Sequence, residues 1–565
     1  MNNRIMDVIP EPLHFQPKQL SILLTVVALA LWAVSITRAN LVLDDWGLIH
    51  SLPVTYFVAL GLLTVAAGIL WLSKESHNFL MGLQLVFFIG VLWLTPLLLG
   101  TTLMPTRYEF GYYSNTQYII NFGYLNVVTQ WLHSWPGCSL FGAGFVEIMG
   151  FKNADMMLIW APLVIEYLMV LPFYLFFRTT MGRSNYIWAA IWMFFLFNHV
   201  GQLYFGNQTM TFFLLFIILA LLLKYVAHKE PISVKHNVVM LLLFGCIAMT
   251  HLLTALACLF ILVVIWVYRK YNLSTMFALF IVFAIGWTIF FATGYFVSWT
   301  PIEFKSLFRI DLLFQHNVVT LSSTGSLQHR MVAVIRVLFT VLMGVISFVG
   351  VLLSRKFKND YDLIVIAVGA GMLIMTFFCF YSGEMLSRTF FFILPILAYF
   401  AVKLFRTKIT AVILVVLLLV LSPLSIIPLH GDQSVDNITA SQRGYWQFIA
   451  QHTTQGYFTG GGMVGSWQLG YLGSQIYDVG IVNYSFEGTQ RWANELLDNQ
   501  WPPFGQNAYV SISLFEEQEF SVIMDIPQTL IEIRSCLNSP TSNYDLIFNS
   551  GDVTTYMHEA LWVNN

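Results

Sequence analysis

A short segment between two apolar stretches carries residue types from which an acid–base site can be built. It begins with Glu109, continues with Tyr112 and Tyr113, and ends beyond Gly123 in His133-Ser134-Trp135-Pro136-Gly137. A carboxylate held within hydrogen-bond reach of a hydroxyl can take its proton, which contributes roughly 10²–10⁴-fold to a rate. The proline fixes its φ angle, and aromatic rings suit a boundary between lipid and water. The segment therefore predicts a chemical site in a loop at a membrane surface.

The composition identifies the elements that must position this loop. Apolar residues make up 58% of the 565-residue chain and charged residues 10%, which is far from the balance of a soluble domain. A helix that crosses a bilayer needs roughly 20 apolar residues. Windows of this kind lie near 19–37, 53–73, 79–100, 157–177, 274–297, 331–354, 361–381, 386–404 and 409–427, and the longer tracts 185–226 and 237–268 are each interpreted as two spans. The sequence predicts an α-helical polytopic membrane protein with about thirteen transmembrane helices.

The positions of Lys and Arg predict the orientation. Alternate loops collect basic clusters, such as Arg269-Lys270 and Arg355-Lys356, whereas the opposite loops carry basic residues singly. Cations are retained on the cytoplasmic side, so the N-terminus is expected there and the C-terminal region outside. This orientation depends on dividing the tract 237–268 into two spans. A single helix would invert everything after it and move the Arg355 cluster outside, and we reject it for that reason.

The unusual polar residues then share one face of the membrane. They lie in Asp44-Asp45-Trp46, the Glu109 segment, Gln202 to Gln208, Thr250 to Thr254 and Gly383 to Arg388. Ionisable groups near hydrocarbon are costly and usually line a site, so their gathering predicts an extracytoplasmic polar cavity. Taken singly, each segment is equally explained by helix capping or by contact with water.

The chain changes character after residue 427. Pro423 and Pro428 close the last apolar stretch, and polar residues become common. Gly444 to Ala450 has the pattern of a helix, whereas Tyr509 to Leu514 and Asp545 to Phe548 have the pattern of strands. The region predicts a small α/β domain outside the membrane. No CxxC or HExxH pattern predicts a bound metal, and a net charge of −2 argues against nucleic acid as a partner.

Around Glu109 the chain resembles the GT-C superfamily, the integral-membrane glycosyltransferases that use lipid-phosphate-linked sugars. The shared order is an acidic residue (Glu109), Tyr112-Tyr113, Gly123, an aromatic/His-Pro turn (133–136) and a helix from Phe141 to Gly150. Further segments resemble prokaryotic and archaeal members, including protein mannosyltransferases and aminoarabinose transferases. They are Tyr204 to Gln208, Thr250 to Thr254, Gly383-Glu384 with Arg388, and Tyr544 to Tyr556 with its Asn549-Ser550-Gly551-Asp552 turn.

The resemblance implies a domain division with one departure. Members usually carry the acidic loop after their first span, whereas here it follows the third. Residues 1–78 are then a cytoplasmic tail and an extra transmembrane hairpin, 79–427 the GT-C-like core with its catalytic loop at 101–156, and 428–565 the extracytoplasmic α/β domain. The hairpin brings Asp45 to the same face as Glu109. We favour Glu109 as the loop carboxylate because only Glu109 has the downstream tyrosines, glycine and proline.

The resemblance also implies roles for the residues. Glu109 would be the general base, and Arg388 would stabilise the departing phosphate with Arg107 and His251 behind it. Further substrate contacts are expected from Glu384, Tyr112, Tyr113, His133, Trp135, Gln202, Gln208, Asp44 and Asp45. The donor would be a polyprenyl-phosphate sugar and the acceptor a glycan, lipid or protein. A second departure from the family is that Glu109 has no adjacent second acid, which weakens a metal-dependent oligosaccharyltransferase interpretation, and we expect no cofactor and no metal. A single base predicts inversion at the anomeric carbon, and Asp44 and Asp45 leave a double displacement open.

Structural interpretations stand beside these roles. Glu109 can pair with Arg107 as a solvated contact, and Arg388 with Glu384 at helical spacing. His133 and His251 are equally interpreted as structural histidines, and Tyr112, Tyr113 and Trp135 as interfacial anchors. Glu166 lies within a span and requires a partner or a proton.

Two other functional classes remain open from the sequence. A transporter or flippase for lipid-linked glycans also gathers polar residues within its spans, but it is expected to show paired repeats and broken helices, and no internal repeat is evident. A noncatalytic membrane assembly protein has no need of Glu109 and Arg388 on one side.

Overall fold

A computed structural model gives the fold. It describes residues 16–101, 108–127, 131–182, 185–200, 204–269, 272–311, 315, 324–354, 360–377, 384–437, 439, 441–442, 444–445, 448, 456–459, 477–478, 507–540 and 542–558. The following statements concern this part of the chain.

Apolar runs bounded by proline, glycine or polar residues form the helices of the bundle. In lipid a helix satisfies its own backbone hydrogen bonds, so such runs become helices before they pack. The helices are α1 (Pro17–Arg38), α2 (Val54–Trp71), α3 (Asn78–Leu98), α4 (Tyr108–Phe122), α5 (Gly137–Met149), α6 (Asp155–Met181), α7 (Tyr186–Phe197), α8 (Asn207–His228), α9 (Val234–Ala248), α10 (Leu252–Arg269), α11 (Ser274–Phe290), α12 (Thr293–Ser306), α13 (Leu327–Ser354), α14 (Asp360–Leu373), α15 (Met385–Ala401), α16 (Lys408–Leu424), α17 (Ile426–His430) and α18 (Gln433–Asp436).

In the described ranges eight helices are long and apolar enough to cross a membrane, namely α1, α2, α3, α6, α8, α13, α15 and α16, and shorter apolar helices lie between them. Both long tracts are divided, as the orientation argument requires. The first breaks between α7 and α8, and the second between α9 and α10. The predicted span near 274–297 is interrupted, because α11 ends at Phe290 and α12 begins at Thr293. The protein is a multi-pass helical membrane protein.

The loop that follows α3 is more ordered than expected. The segment at Glu109 is the first turn of helix α4, and a short 3-10 helix at Trp131–Ser134 leads through Pro136 into α5. The middle of α4 is buried on all sides: Tyr113 and Tyr118 are almost inaccessible, as are Asn115, Thr116 and Gln117 between them. The C-terminal end of α5 matches the prediction, since Gly150 closes it with a left-handed φ of 67°.

Polar side chains fasten the N-terminal hairpin to the rest of the bundle. Gln84 of α3 donates from Nε2 to Ser21 Oγ and Thr25 Oγ1 of α1, both at 2.8 Å. Thr64 of α2 donates to Ser422 Oγ of α16 at 2.8 Å. Hydrogen bonds of this kind hold transmembrane helices together where apolar contact with lipid gives no preference for association.

A cluster of phenylalanine rings fills the middle of the bundle. The ring of Phe173 in α6 lies 4.3 Å from that of Phe194 in α7, and 5.9 and 5.2 Å from those of Phe212 and Phe216 in α8. Phe391 of α15 lies 4.2 Å from Phe212. We call Phe173, Phe194, Phe212, Phe216 and Phe391 the aromatic core. It fixes the relative heights of four helices.

The C-terminal region forms the predicted α/β domain. Its strands are β1 (Gly456–Thr459), β2 (Tyr477–Asp478), β3 (Asn507–Ser513), β4 (Asp545–Asn549) and β5 (Val553–His558), with helices α19 (Leu514–Gln518) and α20 (Pro527–Leu537) between β3 and β4. The sheet order is β2-β1-β3-β5-β4, parallel at β1 and antiparallel from β3 to β4. The two predicted strands are confirmed as β3 and β4. The Asn549 to Asp552 turn joins β4 to β5, with Gly551 at a φ of 87°.

This domain packs on the loop helices. One cluster of buried residues joins α4 and α5 to the sheet domain, and its members include Tyr113, Cys138, Val146, Tyr509, Val522 and Val553. Helix α4, which carries position 109, is therefore held between the sheet domain and the bundle.

Candidate active site

The site is built around Arg388 in the first turn of α15. Its Nε and Nη2 donate to Glu384 Oε2 at 3.1 and 2.8 Å, and its Nη1 donates to Oε1 of Gln208 in α8. The Glu384 pair is the one expected from helical spacing. Arg388 is 9% exposed and Gln208 2% exposed, so the guanidinium is held on two sides within the protein.

Three helices begin around this guanidinium. Helix α8 starts at Asn207, α10 at Leu252 and α15 at Met385. The N-terminus of a helix carries a partial positive charge and unpaired backbone N–H groups, and it is a ready site for anions. Arg388 adds a full charge to this region. We call the end of the bundle at which these three helices begin the site end.

His251 lies in the turn between α9 and α10 at the site end. Its Nδ1 is 2.8 Å from Thr254 Oγ1, and Thr254 Oγ1 is 2.9 Å from Thr211 Oγ1 of α8. Burial, reinforced by the charge of Arg388, lowers the pKa of His251 to about 3. The imidazole is therefore neutral at physiological pH and serves as a hydrogen-bonding group rather than as a second cation.

The loop helices dock onto the site end. The ring of Tyr112 in α4 lies 6.2 Å from that of Tyr204, just before α8. Asn207 donates from Nδ2 to the carbonyl oxygen of Trp135 at 3.0 Å. A Cβ atom on Gly137, the first residue of α5, would lie 1.9 Å from Thr250 Oγ1. Four of the five polar segments singled out in the sequence thus form one contiguous structure.

Glu109 belongs to this structure through its helix. It lies in the first turn of α4, about one turn before Tyr112 and Tyr113. Its side chain lies outside the described residues, as do Arg107 and Gln202 altogether. The roles assigned to these three residues therefore remain predictions.

Tyr113, His133 and Trp135 make internal contacts that shape the loop. Tyr113 donates from its hydroxyl to Asp155 Oδ1 at 2.5 Å. His133 accepts from the backbone N–H of Asn126 at 2.8 Å, and burial lowers its pKa to about 4. The Trp135 ring packs edge-on against Tyr295 at 4.6 Å. All three side chains are buried by internal contacts, and the substrate roles assigned to them remain predictions.

Asp44 and Asp45 lie in a second cluster. Asp44 Oδ2 is 2.5 Å from His50 Nδ1. Asp45 accepts from the hydroxyl of Ser326, and its carbonyl oxygen accepts from the backbone N–H of Asp432 at 3.2 Å. The structure thus brings Glu384, Gln208 and His251 to Arg388, and it places the two aspartates with other partners.

Sequence reasoning missed the centre of this second cluster. Asp432 follows α17 with a φ of 62°, and its carboxylate accepts from His329 Nδ1 and Arg336 Nη1 of α13, each at 2.9 Å. Ser326 donates its backbone N–H to the carbonyl oxygen of Val522 at 2.8 Å. We call Asp45, Ser326, His329, Arg336 and Asp432 the junction cluster. The Gly431-Asp432 pair is only a weak sequence signal of a bend at this point. Nothing in the sequence indicates that Asp432 pairs with His329 and Arg336.

Comparison with known proteins gave matches in structure only. No protein-family model matches the chain, and no curated protein sequence matches it. It is similar to the Archaeoglobus fulgidus oligosaccharyltransferase tethered with an acceptor peptide containing the NVT sequon, at 11% identity and a TM-score of 0.41, over 90% of this chain and 74% of that one.

Two further similar structures are of ArnT from Cupriavidus metallidurans. The apo form matches at 14% identity and a TM-score of 0.36, over 80% of this chain and 93% of that one. The form bound to undecaprenyl phosphate matches at 14% identity and a TM-score of 0.35, over 96% and 98%. The interpretation of this chain's function accordingly rests on its own residues and their geometry.

Proposed function

We propose that the chain is a GT-C-type membrane glycosyltransferase that moves a sugar from a polyprenyl-phosphate-linked donor to an acceptor on the extracytoplasmic side. One observation carries this proposal. A guanidinium, three helix N-termini and the helix that bears Glu109 belong to one contiguous structure. A transporter of lipid-linked glycans can bind the same anion with a guanidinium and helix N-termini, but neither it nor a purely structural protein requires a general base such as Glu109 at that end.

Arg388 is assigned to the phosphate of the donor. A guanidinium binds phosphate oxygens in pairs, and charge-assisted hydrogen bonds of this type are roughly twice as strong as neutral ones. Glu384 and Gln208 hold the guanidinium in place before the donor arrives. As the phosphate leaves the sugar it gains negative charge, and a preorganised cation with helix N-termini around it stabilises that charge.

Glu109 is assigned to the acceptor. Its carboxylate takes the proton of the acceptor hydroxyl while the hydroxyl oxygen forms a bond to the anomeric carbon. The bond from that carbon to the phosphate oxygen breaks, and the polyprenyl phosphate leaves with the electron pair. One displacement with one base inverts the configuration at the anomeric carbon.

The test separates donor binding from transfer in purified protein. Glu109→Gln is expected to lower transfer from polyprenyl-phosphate sugars by about 10²–10⁴-fold, because the amide takes no proton. Its affinity for polyprenyl phosphate is expected to stay unchanged. Arg388→Ala is expected to weaken that affinity by about tenfold or more, since a charge-assisted hydrogen bond is lost. Glu147→Gln, at an exposed position of α5, is the matched control and should behave as wild type.

The alternatives give different results. Normal transfer by Glu109→Gln would remove the base assignment. Failure of the wild-type protein with every lipid-linked sugar, together with movement of those lipids across vesicles, would favour the transporter.

A further inference from the structure

Glu166 is a buried carboxyl group that the proposed reaction does not use. It lies in the membrane-spanning part of α6 with no exposed surface, and neither of its carboxyl oxygens has a hydrogen-bond partner among the described residues. An isolated polar group in such a place is costly, and ionisable residues within spans usually serve a function.

The aromatic core defines the height of Glu166 in the bundle. The ring contacts of Phe173 with Phe212 and Phe216 set the register of α6 against α8. Glu166 precedes Phe173 by about two turns on the same face of α6, and Gln208 precedes Phe212 by about one turn on α8. These offsets place Glu166 level with the start of α8, where Gln208 lies.

The orientation of Tyr167, the next residue of α6, helps to define the direction in which the Glu166 side chain points. Tyr167 faces α3, because a Cβ atom on Gly90 would lie 3.0 Å from its hydroxyl oxygen. Successive residues of a helix point about 100° apart, so Glu166 does not share the α3-facing side of Tyr167, and it lies on the face of α6 from which Phe173 contacts α8.

Gln208 presents a matching group. Its Oε1 accepts from Arg388, whereas its Nε2 is buried without a partner in the described part of the chain. Asn198, about one turn beyond Phe194 on α7, is also buried, and both of its side-chain amide atoms are unpaired within the described ranges. Above the aromatic core, the Glu166 carboxyl and the Gln208 amide donor are therefore level with each other, and the Asn198 amide lies about one turn nearer the core; we call these three side chains the polar layer.

We propose that Glu166 is a positioning residue for Arg388. Glu166, with Asn198, accepts the Gln208 amide N–H groups through a bridging water molecule, and so fixes the amide whose oxygen holds the guanidinium. This inference rests on the proposed function, because it assigns Arg388 to a phosphate. An ordered layer of this kind preorganises the cation, whereas an unanchored Gln208 lets it turn away.

The experiment compares two substitutions at one position. Glu166→Gln keeps an acceptor oxygen and nearly the same volume, and Glu166→Leu removes the acceptor. The probe is a synthetic polyprenyl monophosphate bound by the full chain in detergent. Glu166→Leu is expected to raise the Kd by about tenfold, whereas Glu166→Gln stays within about threefold of wild type. In transfer assays, KM for the donor should rise more than kcat falls.

Gln84→Leu is the control for loss of a buried amide. Gln84 is fully buried in α3 and bonds Ser21 and Thr25 of the hairpin, at a position given no part in the site. It is expected to lower the Tm and leave the Kd unchanged. An unchanged Kd in Glu166→Leu, or equal Kd changes in Glu166→Leu and Gln84→Leu, would overturn the proposal.

Two further variants keep the proposal testable if Glu166→Leu does not fold. If Glu166→Leu does not fold, Gln208→Met and Asn198→Leu address the same layer, and a wild-type Kd in both would overturn the inference. If both Glu166→Leu and Gln208→Met fold, the effects of the two substitutions on the Kd should be non-additive, since either one breaks the same connection. Simple additivity would contradict the positioning role.

Arg388→Ala separates the two proposals. Wild-type binding by Arg388→Ala defeats the proposed function, whereas weak binding by Arg388→Ala beside normal binding by Glu166→Leu defeats only the positioning role.

Discussion

At the scale of single residues, the site depends on which group carries charge. Arg388 is paired with Glu384, and His251 beside it is kept neutral by burial and by the guanidinium. A second cation next to Arg388 would attract phosphate but would also repel the guanidinium in the empty site. A neutral imidazole avoids this repulsion and keeps the Thr254 and Thr211 hydroxyls in place.

The lowered pKa of His251 predicts a dependence of stability on pH. The unfolded chain takes up a proton at this residue near the ordinary pKa of 6.5, and the folded protein only near 3. The contribution of neutral His251 to stability is therefore complete above pH 6.5 and is lost as the pH falls toward 3. His251→Asn, which takes no proton, should lose less thermal stability than wild type over this interval.

The measurement is the difference in Tm between wild type and His251→Asn at several pH values. His228→Asn, at an exposed position near the end of α8, is the control and should follow the wild-type curve. Parallel curves for wild type and His251→Asn would show that His251 is not held neutral by the fold.

At the scale of elements, the close approach of α5 to the α9–α10 turn decides where the loop region between α3 and α6 lies. Gly137 begins α5, and its missing side chain leaves room for Thr250. Asn207 fixes Trp135, two residues before Gly137, by a hydrogen bond to its carbonyl oxygen. The loop thus meets the bundle through backbone atoms, which tolerate little displacement.

Gly137→Ala is expected to reduce transfer by roughly 10–100-fold, because the added Cβ atom pushes α5 off the turn and moves the loop by a fraction of a helix diameter. Gly144→Ala is the matched control, since it lies in the same helix with no atom within 4 Å of its Cβ position. It should retain full activity. Full activity in Gly137→Ala as well would mean that this contact does not position the loop.

At the scale of the whole molecule, the junction cluster connects regions far apart in the sequence. Asp45 follows α1, and Ser326 immediately precedes α13, which carries His329 and Arg336. Asp432 follows the last long helix. The Ser326 bond to Val522 extends the connection to the sheet domain. The N-terminal hairpin and the sheet domain are thus fastened at one place.

Asp432→Asn should loosen this connection. Asparagine tolerates the left-handed backbone, but its NH₂ group would face a donor of His329 or Arg336 in place of an acceptor. The free energy of unfolding should fall by about 2 kcal/mol, and proteolysis of the sheet domain should become faster. Asp545→Asn, exposed on β4, is the control. Equal protease resistance in the two variants would contradict a connecting role for Asp432.

The sequence by itself determined the class of the protein, most helices and the approximate positions of two strands along the chain. Apolar runs of spanning length have one stable backbone in lipid, so their helices follow from local composition. The polar segments at helix ends, including Glu384 with Arg388, were visible because their partners are close in the sequence. The helical form of the Glu109 segment was not visible, since it depends on burial of Tyr113 and Tyr118 against other elements.

The tertiary structure decided which distant side chains meet. Gln208 reaches Arg388, and Asp45 reaches Ser326, only because the rotation of each helix about its axis is set by interlocking side chains such as the aromatic core. That rotation has no signature in local periodicity, because a helix surrounded by lipid and protein is apolar on nearly every face. The division of the polar residues into a site around Arg388 and a junction around Asp432 therefore comes from packing.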